Sequence, residues 1–204
     1  MHATSSTVGQ ERRADARRNI TAILDAAQAC LSSNPDVSIG EIAKAAGVGR
    51  VTLYGHFGSR AELVDATFAR VLVEADQTLD AVDLDGDPRD ALARLISSSW
   101  RIVNRFRTLL LAAQRALPDE RVRELHDGPM RRVHELLERG RAERVFRTDL
   151  PDTWMVATFY SIMHAAADEI AAGRLDAQDA GDLLVTTLLA TFAPATEHTG
   201  QRGL

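Results

Sequence analysis

The segment from 38 to 63 restricts the fold of this 204-residue chain more than any other part of it. It reads SIGEIAKAAGVGRVTLYGHFGSRAEL and carries two capping boxes, one from Ser38 to Glu41 and one from Ser59 to Glu62. In such a box a hydroxyl residue and a carboxylate three positions later satisfy the free amides at the start of a helix. We therefore expect helices to begin at about residues 39 and 60.

Between the two boxes the sequence predicts a tight turn and a second short helix. Ile39, Ile42 and Ala43 form an apolar stripe on the first helix, and Ala46-Gly47-Val48 supplies the turn. Helical spacing resumes in Val51-Thr52-Leu53-Tyr54. This arrangement is typical of a helix-turn-helix, whose second helix presents its N-terminal residues to the major groove of DNA. The segment therefore predicts a DNA-binding protein.

The same residues resemble the signature of the tetracycline-repressor (TetR/AcrR) family of transcriptional regulators. The resemblance covers about the first third of the chain and rests on Ile42-Ala43, Ala46-Gly47-Val48, Thr52-Leu53-Tyr54, His56-Phe57, Ser59 and Leu63. It implies that Ser38 caps its helix at a phosphate, that residues of the second helix contact bases or backbone, and that a basic residue at 60 binds phosphate. The DNA-binding residues carried over in this way are Ser38, Arg50, Thr52, Tyr54, His56 and Arg60.

The chemistry of these side chains agrees with the implied roles. Arg50 can donate a forked pair of hydrogen bonds to guanine, and Thr52 can donate to a base edge or contact a thymine methyl group. Ser38, Tyr54 and Arg60 are suitable phosphate donors. We therefore expect Arg50 to read sequence and Arg60 to contribute affinity without sequence preference.

Three positions depart from the family pattern. Gly49 replaces the usual serine cap, Val51 replaces a small residue, and Gly55 stands where a larger side chain is common. A glycine inside so short a helix costs up to roughly 1 kcal/mol relative to alanine, although it also permits close approach to DNA. We expect this helix to become fully stable only on DNA. Leu53 and Phe57 are interpreted as core residues, because apolar residues of a three-helix unit usually pack inside it.

Composition favours an all-α chain whose charge is unevenly distributed. The chain is 45% hydrophobic, which is enough for a sizeable core, and its low aromatic and glycine contents favour helices. The net charge is −5, but residues 1 to 60 hold seven Lys or Arg against five Asp or Glu. That end therefore has a net charge of +2, and the remainder has −7. The basic end is the end that carries the motif.

Proline and glycine positions predict about nine helices in two domains. We assign residues 1–59 to an N-terminal arm and a three-helix DNA-binding domain, and residues 60–204 to a helical effector-binding and dimerisation domain. The expected helix boundaries lie at Asp87-Pro88, Pro118-Asp119, Gly128-Pro129, Asp149-Leu150-Pro151, Gly173 and Pro194. The acidic turn at 83–87 lacks the spacing of an EF-hand loop, so it is interpreted as a linker.

The N-terminal region carries four arginines and no signal peptide. Arg12, Arg13, Arg17 and Arg18 form either an arm that contacts DNA or a solvated tail, and both readings stay open. The absence of an apolar signal segment predicts a cytoplasmic protein. Cys30 lies on the apolar stripe of the first helix, so we expect a buried thiol. The other members of that stripe are Ile20, Ile23, Leu24, Ala27 and Leu31.

Two segments near the C-terminus, 153–167 and 183–196, contain no Asp, Glu, Lys or Arg. Neither has the roughly 20 residues that a membrane span needs, so we expect no membrane insertion and protein on both faces of each helix. Pairing of both helices across a two-fold axis fits this pattern, and the resemblance implies the same homodimer. Burial within the monomer is the alternative. The predicted interface residues are Met155, Phe159, Ile162, Ala166, Leu184, Leu188 and Phe192.

A dimer holds its two recognition helices roughly 34–36 Å apart, which predicts a palindromic operator of double-stranded DNA. A ligand that prefers a wrongly spaced state lowers DNA affinity. The resemblance implies a repressor that is released in this way by a small apolar or amphipathic effector. Candidate ligand contacts are the aromatic, sulfur and imidazole groups within the apolar stripes, although each can equally be a core residue. They are Trp100, Met130, His134, Tyr160, Met163 and His164.

Two other classes of function compete with this one. The chain has no Walker loop, dinucleotide fingerprint, GxSxG or HExxH motif, so we predict no enzyme, no catalytic residue and no cofactor. The scattered histidines give only weak support for a metal-binding enzyme, and no metal site is predicted. The remaining alternative is a DNA-binding dimer whose C-terminal domain is filled and responds to a partner protein or to nothing.

Overall fold

The computed structural model describes residues 4–195, with side chains from residue 14 onward. Over that range the chain folds into nine α-helices without a β-strand, which confirms the predicted all-α class. The helices are α1 (Thr4–Ser33), α2 (Ile39–Ala45), α3 (Arg50–His56), α4 (Arg60–Leu79), α5 (Pro88–Ala116), α6 (Asp119–Leu125), α7 (Asp127–Ala142), α8 (Asp152–Ala171) and α9 (Ala180–Phe192). None of these nine helices is long and apolar enough to cross a bilayer.

Most helix starts follow the capping residues of the sequence. The two expected starts at 39 and 60 are confirmed, and α5 begins at Pro88, where Asp87 accepts the amide of Arg89 at 2.7 Å. The interruption expected at Gly128-Pro129 is wrong by two residues, because α7 already begins at Asp127. Pro129 is tolerated there because the amides of a first helical turn have no partner within the helix.

The chain divides into two compact units. Unit 1 combines the residues up to Glu74 with Arg105–His126, and unit 2 combines Ala75–Asn104 with the residues from Asp127 onward. The long helices α4 and α5 each contribute to both units, so this division differs from a cut between residues 59 and 60. A functional boundary at 59 and 60 stays a prediction.

Unit 1 is built around a core to which α1 to α6 all contribute. Ile23, Ala27 and Leu31 of α1 are fully buried, as expected for its apolar stripe. Three members of the predicted stripe lie at its edge, since Ile20 is 36% exposed and both Leu24 and Cys30 are only partly buried against the core. The expected buried thiol is therefore wrong in extent, because Cys30 packs at the margin of the core. Arginine and carboxylate pairs connect the elements at the surface: Arg70 with Asp25, Arg121 with Asp65, and Arg115 with Asp36.

The N-terminal arginines belong to α1 in this fold. Arg17 and Arg18 lie on exposed positions of that helix, and Arg18 pairs with Asp15 one turn earlier. The side chains of Arg12 and Arg13 lie outside the described residues. A contact between these arginines and DNA stays a prediction.

Unit 2 holds α7, α8 and α9 around a second core. The ring of fully buried Phe146 lies against Gly140 of α7 so closely that a Cβ atom at that position would stand 2.1 Å from Phe146 Cδ2. Arg141 connects α7 to the segment before α8, because its guanidinium donates to the carbonyl of Leu150 at 2.7 Å. These contacts fix the position at which α8 begins relative to the end of α7.

Candidate DNA-binding site

The start of α2 is held by a complete capping box. The amide of Glu41 donates to Ser38 Oγ at 3.2 Å, and the amide and hydroxyl of Ser38 donate to Glu41 Oε2 at 2.9 and 2.7 Å. These hydrogen bonds, above all the one from the hydroxyl, hold the pKa of Glu41 below its usual range. The predicted box is confirmed. A phosphate contact by Ser38 requires its hydroxyl to leave Glu41.

The turn between α2 and α3 depends on one glycine. Gly47 adopts a φ of 69°, in the left-handed region that glycine reaches without steric cost. The amide of the next residue, Val48, donates back to the carbonyl of Ala43 at 3.0 Å. The turn therefore fixes the direction in which α3 leaves α2.

Helix α3 exposes nearly all of its surface. Leu53 is its buried residue, whereas Val51 is 87% and Tyr54 45% exposed. Arg50 and Thr52 are exposed as well, and His56 is half-buried. A seven-residue helix held by one buried side chain presents its remaining residues outward. Leu53 and Phe57 are buried in the core of unit 1, as expected.

Arg50 extends across the surface of α2. A Cβ atom at Gly40 would lie 3.7 Å from Arg50 Cδ and 3.8 Å from its guanidinium carbon. The absence of a side chain at Gly40 therefore leaves room for the arginine between the two helices of the motif. The guanidinium has no carboxylate partner among the ion pairs of the described residues.

Arg60 has a different environment from the other predicted DNA contacts. Its guanidinium donates to the carbonyl of Val37 and, at 2.6 Å, to that of Pro35. Both acceptors lie in the loop that enters α2, so Arg60 connects the start of α4 to this loop. No sequence pattern indicates this internal role, because the acceptors are backbone atoms more than twenty positions away.

The surface around α3 is basic. Residues 42 to 61 contain no Asp or Glu, but they contain Lys44, Arg50 and Arg60. A local excess of positive charge beside an exposed helix is the electrostatic pattern of a protein that approaches DNA phosphates. Lys44 is exposed and Val51 is the most exposed large apolar residue, yet neither was among the predicted contacts. Their positions, Lys44 near the end of α2 and Val51 in the first turn of α3, could have identified them as candidates for DNA contact.

A family model described as "Bacterial regulatory proteins, tetR family" matches residues 23–67, which include α2, α3 and the turn between them. Residues 23–67 therefore form a TetR-family DNA-binding domain. The chain is a DNA-binding transcriptional regulator, in agreement with the predicted helix-turn-helix.

Known proteins are similar to this chain over nearly their whole length. The HTH-type transcriptional repressor LfrR of Mycolicibacterium smegmatis is 28% identical over 185 residues, which cover 91% of this chain and 94% of LfrR. A crystal structure of LfrR in complex with proflavine has a TM-score of 0.64 and 24% identity, and covers 88% of this chain and 99% of that one. The regulator FadR of Bacillus subtilis, in complex with stearoyl-CoA, has a TM-score of 0.70 at 16% identity, over 83% and 97%.

The structure places most of the predicted ligand contacts in unit 2. Trp100, Met163 and His164 are buried, and Met130 packs against the same core. The ring of Tyr160 lies 4.1 Å from that of His164, at an angle of 50°. These five residues combine aromatic, sulfur and imidazole groups with an apolar surrounding. Their contact with an effector stays a prediction.

His134 does not join this group. Its side chain is 38% exposed, with Nε2 at 3.5 Å from Glu138 and Nδ1 at 3.8 Å from Asp152. His134 is therefore not part of the buried group, because its position on α7 directs it towards carboxylates at the surface. Its contact with an effector stays a prediction.

The residues predicted for the dimer interface lie on the inner faces of α8 and α9, so the prediction is wrong about which face is available. Six of the seven predicted residues are no more than 8% exposed within the single chain, and Ile162 is half-buried against the same core. They are Met155, Phe159, Ala166, Leu184, Leu188 and Phe192. Side chains that already fill the interior of unit 2 are not available to a second subunit.

The outer faces of the same helices remain free of charge over most of their length. On α8, Trp154 is 60% exposed, and Ser161 and Ala165 follow on the same face. On α9, Leu183 is 50% exposed, and Thr187 follows one turn later. Exposed helix faces normally carry charged residues, so an outer face of small and apolar groups is typical of a surface that another protein covers.

Proposed function

We propose that this TetR-family regulator is a repressor that binds a palindromic operator as a homodimer and leaves it when a small apolar or amphipathic effector binds. This proposal rests on one observation: α3 is exposed and lies within segment 42–61, which contains no Asp or Glu. A protein with this role works where the chromosome is, in the cytoplasm.

Within the motif, the exposed side chains divide by chemistry into two groups. Arg50, Thr52 and Val51 lie on the first turn of α3, the part of a recognition helix that reaches base edges. Arg50 suits guanine, and the methyl groups of Val51 suit the methyl group of thymine. Ser38 and Tyr54 suit phosphates. We therefore assign base contacts to the first group and backbone contacts to the second.

His56 is assigned to the backbone group for a separate reason. It lies in the last turn of α3 and is half-buried, so it reaches the rim of the exposed surface rather than its centre. The ring can donate a hydrogen bond to a phosphate oxygen from either nitrogen, depending on its tautomer.

The homodimer is assigned to the outer faces of α8 and α9. Two copies of a helix pair form a four-helix bundle when each contributes a continuous uncharged face. Trp154 and Leu183 supply large apolar groups, and the small residues between them allow close approach. Because a two-fold interface uses the same patch on both subunits, each change in this surface acts twice.

The effector is assigned to the aromatic and sulfur groups of unit 2. Trp100, Met163 and Tyr160 provide apolar contact area, and His164 provides a polar anchor among them. The relatives with proflavine and stearoyl-CoA support a small-molecule effector for this chain as well. A filled domain under the control of a partner protein is the competing function. Thermal shift against a compound library separates the two, since a ligand at 100 times its Kd stabilises by about 2.7 kcal/mol.

The DNA-binding assignment is tested by operator selection followed by base-by-base competition. Arg50→Ala is expected to relax preference at one base pair by roughly 1–3 kcal/mol. Arg89→Ala is the matched control, because Arg89 is an exposed arginine at the start of α5 in unit 2. Equal losses in both variants, on every sequence, would reject base reading by Arg50.

The dimer assignment is tested by placing a charge on the outer face. Trp154→Glu is expected to produce a folded monomer with lost operator binding, because two carboxylates then meet across the axis. Phe159→Asp is the contrasting variant, since a charge at a 1% exposed position should unfold unit 2 itself. Sedimentation gives the oligomeric state and circular dichroism gives the fold. A Trp154→Glu dimer as tight as wild type would place the interface elsewhere.

A further inference from the structure

Three side chains that are able to bind a metal ion meet at the surface of unit 2. They are His134 and Glu138 of α7 and Asp152, the first residue of α8, and their ligand atoms all lie within 4.8 Å of one another. The imidazole lies between the two carboxylates, with Nε2 at 3.5 Å from Glu138 Oε1 and Nδ1 at 3.8 Å from Asp152 Oδ2. We propose that these three residues bind one divalent transition-metal ion of the Zn²⁺ class. None of the three residues is among the DNA contacts and effector contacts assigned in the proposed function.

The spacing of the three side chains matches the dimensions of such a site. Ligand atoms about 2.0–2.1 Å from a tetrahedral zinc ion are separated by roughly 3.4 Å, and the three ligand atoms here, one from each residue, already lie within 4.8 Å of one another. One ring nitrogen binds the ion, so the imidazole has to turn from its position between the carboxylates. Its 38% exposure leaves room for that rotation.

The backbone around the three ligands is fixed by other contacts. Glu138 follows His134 by one helical turn, which places both side chains on one face of α7. Arg141 holds the segment before α8 through the carbonyl of Leu150. Asp152 accepts the amide of Thr153 with Oδ1 at 2.9 Å, and this leaves Oδ2 directed at His134. Such outer contacts orient ligands before the metal arrives.

The donor set selects the class of ion. Imidazole nitrogen favours Zn²⁺, Ni²⁺, Cu²⁺ and related ions over Ca²⁺ and Mg²⁺, which prefer oxygen ligands alone. Two carboxylates balance the charge of a divalent ion, and a neutral imidazole adds none. Exposed ion pairs with a protonated His134 are worth little in water, so they compete weakly with the metal. Three protein ligands leave the fourth position to water.

The test uses the tag-free full-length chain and its titration with ZnCl₂ by calorimetry. One Zn²⁺ per chain is expected. His134→Ala should weaken binding roughly tenfold or more, and Glu138→Gln and Asp152→Asn should each weaken it as well. Glu135→Gln is the matched control, because Glu135 is an exposed acid next to His134 that lies outside the cluster. It should leave the Kd unchanged.

A second measurement identifies the ligands directly. Co²⁺ in the same site should give visible absorption of a four-coordinate ion, and Zn²⁺ should shift the ring proton resonances of His134 in the wild-type chain. Circular dichroism checks that each variant is folded, which is expected because all three ligands are partly exposed. Failure of the wild-type chain to bind Zn²⁺, or equal affinity in the His134→Ala variant, would overturn the site. Neither result depends on operator binding, so the proposed function is tested separately.

Discussion

Two roles for Arg60 can be distinguished by experiment: a structural role within unit 1 and a contact with DNA. Its guanidinium donates to the carbonyls of Val37 and Pro35, and both hydrogen bonds are partly buried. Hydrogen bonds from a charged donor contribute roughly 1.5–3 kcal/mol each to stability. At a partly exposed site, water hydrogen-bonds to the freed carbonyls and recovers part of this free energy. Arg60→Ala is therefore expected to lower the free energy of unfolding by about 2 kcal/mol. Arg60→Lys keeps the charge but reaches one carbonyl at best, so about half of the loss should remain.

Two measurements separate the roles of Arg60. Urea unfolding without DNA measures the stability that Arg60 gives by connecting α4 to the loop before α2. The salt dependence of operator binding measures the number of phosphate contacts. Each lost phosphate contact lowers the slope of log K against log salt concentration by about 0.9. We expect both variants to lose stability while the slope for Arg60→Lys stays that of wild type. Unchanged stability with a slope smaller by about one unit in Arg60→Ala would refute the structural role and restore the phosphate contact.

Three further predictions follow from single positions. Gly140→Ala gains about 1 kcal/mol of helix propensity but forces a methyl group against Phe146, so a net loss of about 1–2 kcal/mol is expected in urea unfolding. That loss should disappear when the same change is made in a Phe146→Leu background. Gly55→Ala meets no atom within 4 Å and should stabilise α3 by up to about 1 kcal/mol, with tighter operator binding; weaker binding would place the DNA backbone against Gly55. The lowered pKa of Glu41 means that its capping contribution is present above the usual carboxyl range and is lost as pH falls through the lowered value. The protection factors of the amides at the start of α2, taken relative to their intrinsic exchange rates at each pH, should therefore fall in acid, and this fall should be smaller in Ser38→Ala.

The helix-turn-helix could be predicted because its determinants are local. Ser38 and Glu41 are three positions apart, and Gly47 identifies the turn by its own conformational freedom. The helix boundaries at Pro88 and Asp152 follow from similar local signals. Each of these features needs only neighbouring residues, so a single sequence contains it.

The errors occurred where distant residues decide the outcome. The charge-free segments predicted apolar groups on more than one face of α8 and α9, but Phe159 and Trp154 are both aromatic, and only packing shows which of them faces inward. Arg60 finds its acceptors in backbone carbonyls, which have no sequence signature. His134 and Glu138 have a visible helical spacing, whereas Asp152 joins them only through the path of the chain between α7 and α8. Periodicity identifies helix faces but not their partners.

The two tryptophans of this chain stand in opposite environments. Trp100 is 5% exposed in the core of unit 2, whereas Trp154 is 60% exposed on the outer face of α8. Indole emission moves to shorter wavelength when water leaves its surroundings, so association of two chains through α8 should blue-shift the fluorescence of Trp154. Dilution should separate the chains and reverse this shift. Quenching by an added solute should reach Trp154 in the monomer and neither ring in the dimer. The fluorescence of Trp154 should therefore report self-association without an added label.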